Sequence, residues 1–219
     1  MSSPFLDDTL ESLLLAHCHR RQLSRKEMVL NGGSQATSLL YFVKGVAKVA
    51  VISPQGQEMI VTYLGPGEFA GEMGIFCPDL PRSAWVMAHT DCEVGMISYH
   101  SFHELARTNP ELLYALGQQL SVRLLKTTQR ASDFAFHDVV GRIRRCLQEL
   151  SHLAAKAKYD GVTIHYTRQE LAMMAGCTRE MAGRALKALE QAGLVRVHGK
   201  SIQVSRELMQ PTTEASDES

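Results

Sequence analysis

The feature that most restricts the fold is the run from Glu111 to about Phe136. It begins directly after the break Asn109-Pro110 and contains no proline and one internal glycine. Along it Leu113, Leu116, Leu120, Leu124, Thr127, Ala131 and Phe134 recur in steps of three and four, a helical period with one apolar seam. Such a helix either packs along its own domain or pairs with a second copy, and a single sustained seam favours a parallel dimer. Thr127 and Thr128 would then lie on or beside the seam, where hydroxyls pack poorly but can touch something held at the interface.

What precedes the helix reads as β structure. Residues 5 to 19 carry a leucine stripe, Leu6, Leu10, Leu13 and Leu14, that predicts a short amphipathic helix. Strand signals follow. Met28 to Leu30 ends at Asn31-Gly32-Gly33, Leu39 to Val43 at Lys44-Gly45, Val46 to Ile52 at Ser53-Pro54-Gln55-Gly56, and Met59 to Leu64 at Gly65-Pro66-Gly67. With Ala84 to Ala88 and Cys92 to Ser98 these predict an antiparallel β-roll or barrel. Phe102 to Arg107 reads as a helix.

Set into this β region is GPGEFAGEMGIFCPDLPRSA, Gly65 to Ala84. Its glycines allow a tight turn and close approach of backbone N–H groups to an anion, and a helix starting near Glu72 would aim its positive end the same way. Arg82 offers a planar, permanently charged fork for phosphate oxygens, Ser83 a hydroxyl, and Glu72 an acceptor suited to a sugar hydroxyl. On spacing alone the stretch is equally a glycine-rich turn between two strands.

After the helix, Asp133 to Asp138 reads as a hinge, Val140 to Leu153 as a helix carrying Arg142, Arg144 and Arg145, and Thr163 to Tyr166 as a strand. Then comes TRQELAMMAGCTREMAGRALKALEQAGLV, residues 167 to 195. Thr167 with Glu170 forms a capping box, Gly176 ends a helix of about two turns, and Thr178 caps a second helix with Met181, Ala185, Leu186 and Leu189 facing inward. Small Ala172 permits a close crossing, so the segment predicts a helix-turn-helix, with the hairpin Leu194 to Val204 as a wing. Arg179, Glu180, Arg184 and Lys187 lie off the apolar side; from the first turn Arg can pair with guanine and Glu can accept from the cytosine amino group.

The net charge of zero hides an asymmetry: Asp138 to Met209 holds 12 Lys/Arg against 7 Asp/Glu, and residues 1 to 137 hold 11 against 13. A basic C-terminal third fits a nucleic-acid-binding module joined to another domain. The five cysteines are scattered without a CxxC pair, which suits a reducing cytosol. His17 and His19 flank Cys18 but have no second cluster to complete a metal site. No apolar run approaches the roughly 18 residues of a membrane span, so the expected location is cytoplasmic. No nucleophile with a base at readable spacing, Walker loop or metal shell is present, so no enzyme is expected.

The segments HCHRR (17 to 21), GEMGIF (71 to 76), RSAWV (82 to 86), RLLKTTQR (123 to 130), AFHDVVGRI (135 to 143), the stretch 167 to 195 and HGK (198 to 200) together resemble the cyclic-AMP receptor/catabolite activator proteins of the bacterial CRP/FNR regulator superfamily. The resemblance implies an α+β protein. A jelly-roll-like cyclic-nucleotide-binding β-roll would occupy residues 1–109, a dimerisation helix and hinge 110–137, a winged helix-turn-helix 138–208 and an acidic tail 209–219. It implies that Gly71 and Glu72 bind ribose and that Arg82 and Ser83 bind the cyclic phosphate. Arg123 would lie near the purine, with Thr127 from one subunit and Thr128 from the other on adenine. It further implies base reading by Arg179, Glu180 and Arg184, and phosphate contacts from Thr167, Arg168, Gln169, Thr178, His198 and Lys200. His19 and Arg21 resemble a polymerase-contacting surface. The loop KAKYDG before Val162 departs from the family's main polymerase contact, and Ile75 to Pro81 is idiosyncratic.

The expectation is therefore a homodimer switched by cyclic AMP that binds double-stranded DNA at a TGTGA-type palindrome and contacts RNA polymerase. A nearer alternative keeps the DNA but is ligand-independent or answers to another nucleotide such as cyclic di-GMP. A more distant one is a cyclic-nucleotide module that does not bind DNA.

Overall fold

A computed structural model describes residues 4–154 and 161–210. Most of the KAKYDG loop and of the acidic tail lie outside the described residues. By its internal contacts the chain divides into two compact units, Met1–Gln129 and Arg130–Ser219.

The N-terminal unit contains helix α1 (Asp8–Ala16) and strands β1 (His19–Leu23), β2 (Met28–Leu30), β3 (Ser38–Lys44), β4 (Ala47–Ile52), β5 (Glu58–Leu64) and β6 (Phe69–Ala70). The one-turn helix α2 (Met73–Phe76), strands β7 (Trp85–Ala88) and β8 (Cys92–Ser98), and helix α3 (Tyr99–Thr108) follow. Two four-stranded sheets form, ordered β1-β8-β3-β6 and β2-β7-β4-β5, and every pairing is antiparallel. Side chains alternate across a strand, and β3 shows why the unit needs two cores. Leu40 and Phe42 join Leu30, Ala47, Leu64 and Val86 from the other sheet. Leu39 and Tyr41 point the opposite way, into a second cluster with Leu14, Phe102, Leu112 and Leu116.

Strand β1 was not legible as a strand. Its sequence HRRQL is exposed at four positions and buried only at Leu23, so an edge position in the sheet replaces the alternation that marks a half-buried strand. Of the leucine stripe on α1, Leu14 is buried in the helix and Leu6 just ahead of it.

Helix α4 (Glu111–Phe136) departs from a uniform seam. Leu112, Ala115, Leu116 and Gln119 are buried against their own unit, so Leu116 belongs to the protomer core and not to a dimer face. Further along, Leu124 and Leu125 are 68% and 71% exposed. One helix thus realises intramolecular packing in its first turns and leaves an apolar surface in its middle.

The C-terminal unit holds α5 (Val139–Leu153), β9 (Val162–His165), α6 (Arg168–Ala175), α7 (Arg179–Gln191), β10 (Val195–His198), β11 (Ser201–Val204) and α8 (Arg206–Met209). Asp138 caps α5 by accepting from Gly141 N at 2.8 Å, which fixes the start of that helix. The wing hairpin gains β9 as a third strand, in the order β10-β11-β9.

Candidate functional site

In the N-terminal unit the candidate site is built around the turn that follows β6. Gly71 has φ +83°, a conformation that glycine adopts without strain, and a Cβ there would stand 2.6 Å from Arg82 Nη1 and 2.9 Å from Ser38 O. The missing side chain is what lets the guanidinium lie against the turn. Arg82 is held on both sides. Its backbone N donates to Ser34 O at 2.9 Å, and its carbonyl accepts from Gly33 N at 2.8 Å. Nη2 donates to Ser38 O at 3.2 Å and lies 3.3 Å from Ser38 Oγ. Nη1 is buried and has no hydrogen-bond partner among the described residues. A buried N–H without an acceptor is unfavourable, and an anion placed before it relieves the deficit.

Glu72 is buried, and its Oε1 accepts from Arg123 Nη1 at 2.7 Å. Arg123 also reaches Phe69 O, and Gln119 clamps the same strand by donating to Phe69 O at 3.1 Å and accepting from Phe69 N at 2.7 Å. These bonds draw α4 onto the cassette. The expected helix at Glu72 is only the single turn α2, and the Glu72 side chain makes no capping bond to it. The positive helix end foreseen for the anion is therefore negligible, and arginine supplies the charge. Glu68 is spent on the turn, accepting from Gly65 N at 2.7 Å.

Gly71, Glu72, Arg82 and Arg123 are thus brought together. Ser83 is exposed and makes no hydrogen bond among the described residues. Thr127 and Thr128 are exposed on α4, one turn beyond Arg123, and Thr127 Oγ1 donates back to Arg123 O at 2.9 Å. Two groups escaped the sequence reading. Ser38 steadies Arg82, and Tyr99 donates from its hydroxyl to Gly71 O at 2.5 Å. Burial pushes the Tyr99 phenol up, and the neighbouring Arg82 cation partly offsets that. Neither stands in a recognisable motif. Gln119 did carry a signal: a polar residue at the helical spacing of the buried Leu112 and Leu116.

In the C-terminal unit the cap chemistry holds in detail. Thr167 Oγ1 accepts from Glu170 N at 3.1 Å and donates to Glu170 Oε2 at 2.8 Å, which accepts from Thr167 N at 2.7 Å. Gly176 closes α6 at φ +59°, and a Cβ there would meet the Phe134 ring at 2.5 Å. Thr178 caps α7 by accepting from Met181 N at 3.2 Å. Ala182, Ala185, Leu186 and Leu189 form the buried face of α7, whereas Met181 is 39% exposed and not inward-facing. The period places Ala182, not Met181, with Ala185 and Leu189.

Arg179, Glu180, Arg184 and Lys187 are exposed on α7, and Arg184 Nη2 donates to Glu180 Oε1 at 2.7 Å. Arg168 and Gln169 on α6, Thr178, and His198 and Lys200 on the wing are exposed as well, while Thr167 is half-buried in its capping box. Part of the basic surplus faces inward. Arg142 donates to Ala175 O at 2.9 Å and His137 O at 3.0 Å and lies over the Phe134 ring, and Arg145 Nε pairs with Asp133 at 2.9 Å. Arg142 thereby fastens α5 to the C-terminal end of α6.

His19 and Arg21 lie exposed on β1, with Arg21 paired to Glu27 at 2.6 Å. Burial pushes the Cys18 thiol up to about 11, against a smaller opposing pull from Arg20. Among the described residues no helix is long and apolar enough to cross a membrane.

Comparison with known proteins agrees with this geometry. Residues 20–109 match the cyclic nucleotide-binding domain family, and residues 141–208 match the Crp-like helix-turn-helix domain. The chain is 45% identical over 195 residues to the cAMP-activated global transcriptional regulator Vfr of Pseudomonas aeruginosa, covering 87% of this chain and 91% of that one. The chain belongs to the CRP/FNR family of transcription regulators. It is also 43% identical over 204 residues to the cAMP-activated global transcriptional regulator CRP of Pasteurella multocida, covering 93% of this chain and 97% of that one. Among solved structures it resembles the c-di-GMP responsive global regulator CLP of Xanthomonas campestris. There the TM-score is 0.81 and the identity 38%, covering 91% of this chain and 99% of that chain. As a CRP/FNR regulator the chain joins a cyclic-nucleotide-binding β-roll to a helix-turn-helix DNA-binding domain.

Proposed function

We propose that the chain is a homodimeric transcription regulator whose effector is cyclic AMP. The observation that carries the effector is Arg82 Nη1, a buried donor without an acceptor, lying against a glycine that leaves no room for a side chain. One arginine so placed suits one phosphate. Ser83 adds a hydroxyl at the rim, and Glu72 retains acceptor capacity for a sugar hydroxyl beside its pair with Arg123. Two α4 helices would pair through Leu124 and Leu125, each about 70% exposed in the protomer. Thr127 of one copy and Thr128 of the other would then close on the base. A ligand that bridges two copies shifts the equilibrium only by its differential affinity for their arrangements. The favoured arrangement presents Arg179, Glu180 and Arg184 to a TGTGA-type palindrome with half-sites about one helical turn, roughly 10 base pairs, apart. Exposed His19 and Arg21 would meet RNA polymerase. No chemistry on the nucleotide is proposed, and incubation with cyclic AMP should return it intact.

Calorimetry tests the reading. Wild type should bind cyclic AMP at one site per chain, and Arg82→Leu should lose that binding with its circular dichroism spectrum retained; unchanged binding would remove the pocket assignment. The likeness to CLP supports a second reading, in which cyclic di-GMP is the effector. Titrating both nucleotides while following binding to the palindrome separates the two, since only the true effector should change DNA affinity.

A further inference from the structure

We propose that Met181 is a specificity-determining residue that reads the 5-methyl group of a thymine in the major groove. This rests on the DNA-binding reading above and adds to it a contact beyond the charged base readers. In the C-terminal unit the exposed large apolar side chains among the described residues are Phe134, Phe136 and Met181. The two phenylalanines are on α4, so Met181 is the one that α7 carries. A single exposed apolar side chain is ordinary on a protein surface. Its company makes this one informative. The buried face of α7 is complete without it, made by Ala182, Ala185, Leu186 and Leu189. Exposed beside it on the outer side of α7 are the charged Glu180 and Arg184, with only the methyl of Ala188 two turns on along the same face.

Position sharpens the point. Met181 is the third residue of α7, in the turn whose side chains approach base edges, and its amide is fixed by donating to the Thr178 cap. Glu180 and Arg184, joined at 2.7 Å, flank it in sequence, so a helix that presents them to the groove brings Met181 to the groove wall beside them. The thymine methyl is the apolar group that base pairs display in the major groove. An unbranched thioether with three rotatable bonds adapts to such a target without a fixed pocket.

Uracil in place of thymine removes that methyl and nothing else. Fluorescence anisotropy with the nucleotide-bound dimer should be run on TGTGA palindromes in which each thymine of the half-site, on either strand, is replaced in turn. Wild type should weaken about three- to fivefold at one position, the value of one buried methyl group. Met181→Ala should bind the unmodified duplex about as weakly as wild type binds that uracil duplex and be indifferent to the replacement there. Its melting temperature and salt dependence should not change. Met181→Leu should restore part of the discrimination. The inference is overturned if wild type is indifferent to every replacement, or if Met181→Ala keeps the wild-type thymine-to-uracil ratio throughout. Absence of any sequence-preferring binding by wild type would instead remove the DNA-binding reading, and this inference with it.

Discussion

Two arginine–carboxylate pairs, one in each unit, have the same length and opposite character. Glu72 and Arg123 meet at 2.7 Å with side chains 9% and 23% exposed, and Glu180 and Arg184 meet at 2.7 Å with side chains 79% and 74% exposed. Distance alone does not separate them. The first pair is largely buried and tied to Phe69, so its geometry is fixed before any ligand arrives. The second sits in water, where an i, i+4 pair contributes about 0.3–0.5 kcal/mol and gives way at little cost to base edges. A small ligand is met by a rigid, low-dielectric cluster. DNA is met by side chains that hold one another loosely until something better is offered.

Salt should separate the two sites most strongly. Raising it from 50 to 200 mM should weaken DNA binding about 1,000-fold or more if six or more phosphates are contacted, and barely alter nucleotide affinity. Parallel salt slopes in calorimetry and gel shift would show that the pocket is not desolvated. Next is Gly71→Ala, which forces a Cβ to 2.6 Å from Arg82 Nη1 at φ +83°. Nucleotide affinity should drop by about 100-fold or more, read by calorimetry, because relaxation must come from Arg82, from the Ser38 carbonyl or from the turn itself. Glu72→Ala leaves Arg123 beside a lost partner and should destabilise the N-terminal unit by about 2 kcal/mol, below the full buried-pair value since Arg123 is partly solvated. Thermal melting checks it. Arg179→Ala should cost about 1–3 kcal/mol on the specific duplex and flatten the preference at one guanine; an equal loss on scrambled DNA would make it a phosphate contact. Smallest is Glu180→Ala in the absence of DNA, where melting should shift by under about 0.5 kcal/mol.

The C-terminal motif was largely legible because its determinants are local. Thr167, Glu170, Gly176 and Thr178 act within three or four residues of themselves, and the caps form where the spacing predicts. Most strands were legible by alternation and turn residues. What escaped depends on contacts far apart in sequence. Strand β1 is polar because it lies at a sheet edge, and Leu116 turns inward because Phe102 and Leu14 wait there. Ser38 reaches Arg82 across 44 positions of sequence. Counting charges likewise could not tell that Arg142 and Arg145 face their own fold. The pocket residues Gly71, Glu72 and Arg82 could be picked out, but the orphaned N–H that gives them a purpose appears only in three dimensions.

Gly71 also constrains how such a sequence can change. While Arg82 stays, any side chain at position 71 collides with it, so the two positions do not drift independently. A lineage abandoning the phosphate would have to lose the arginine first. Only afterwards would the tightest steric contact at the glycine be lifted, with the Ser38 carbonyl at 2.9 Å and the positive φ still favouring no side chain at all. Order of substitution is thereby written into one missing methyl group: a relative with a larger residue at 71 should already lack the arginine, and the reverse combination, glycine without arginine, is the form in which an intermediate would be caught.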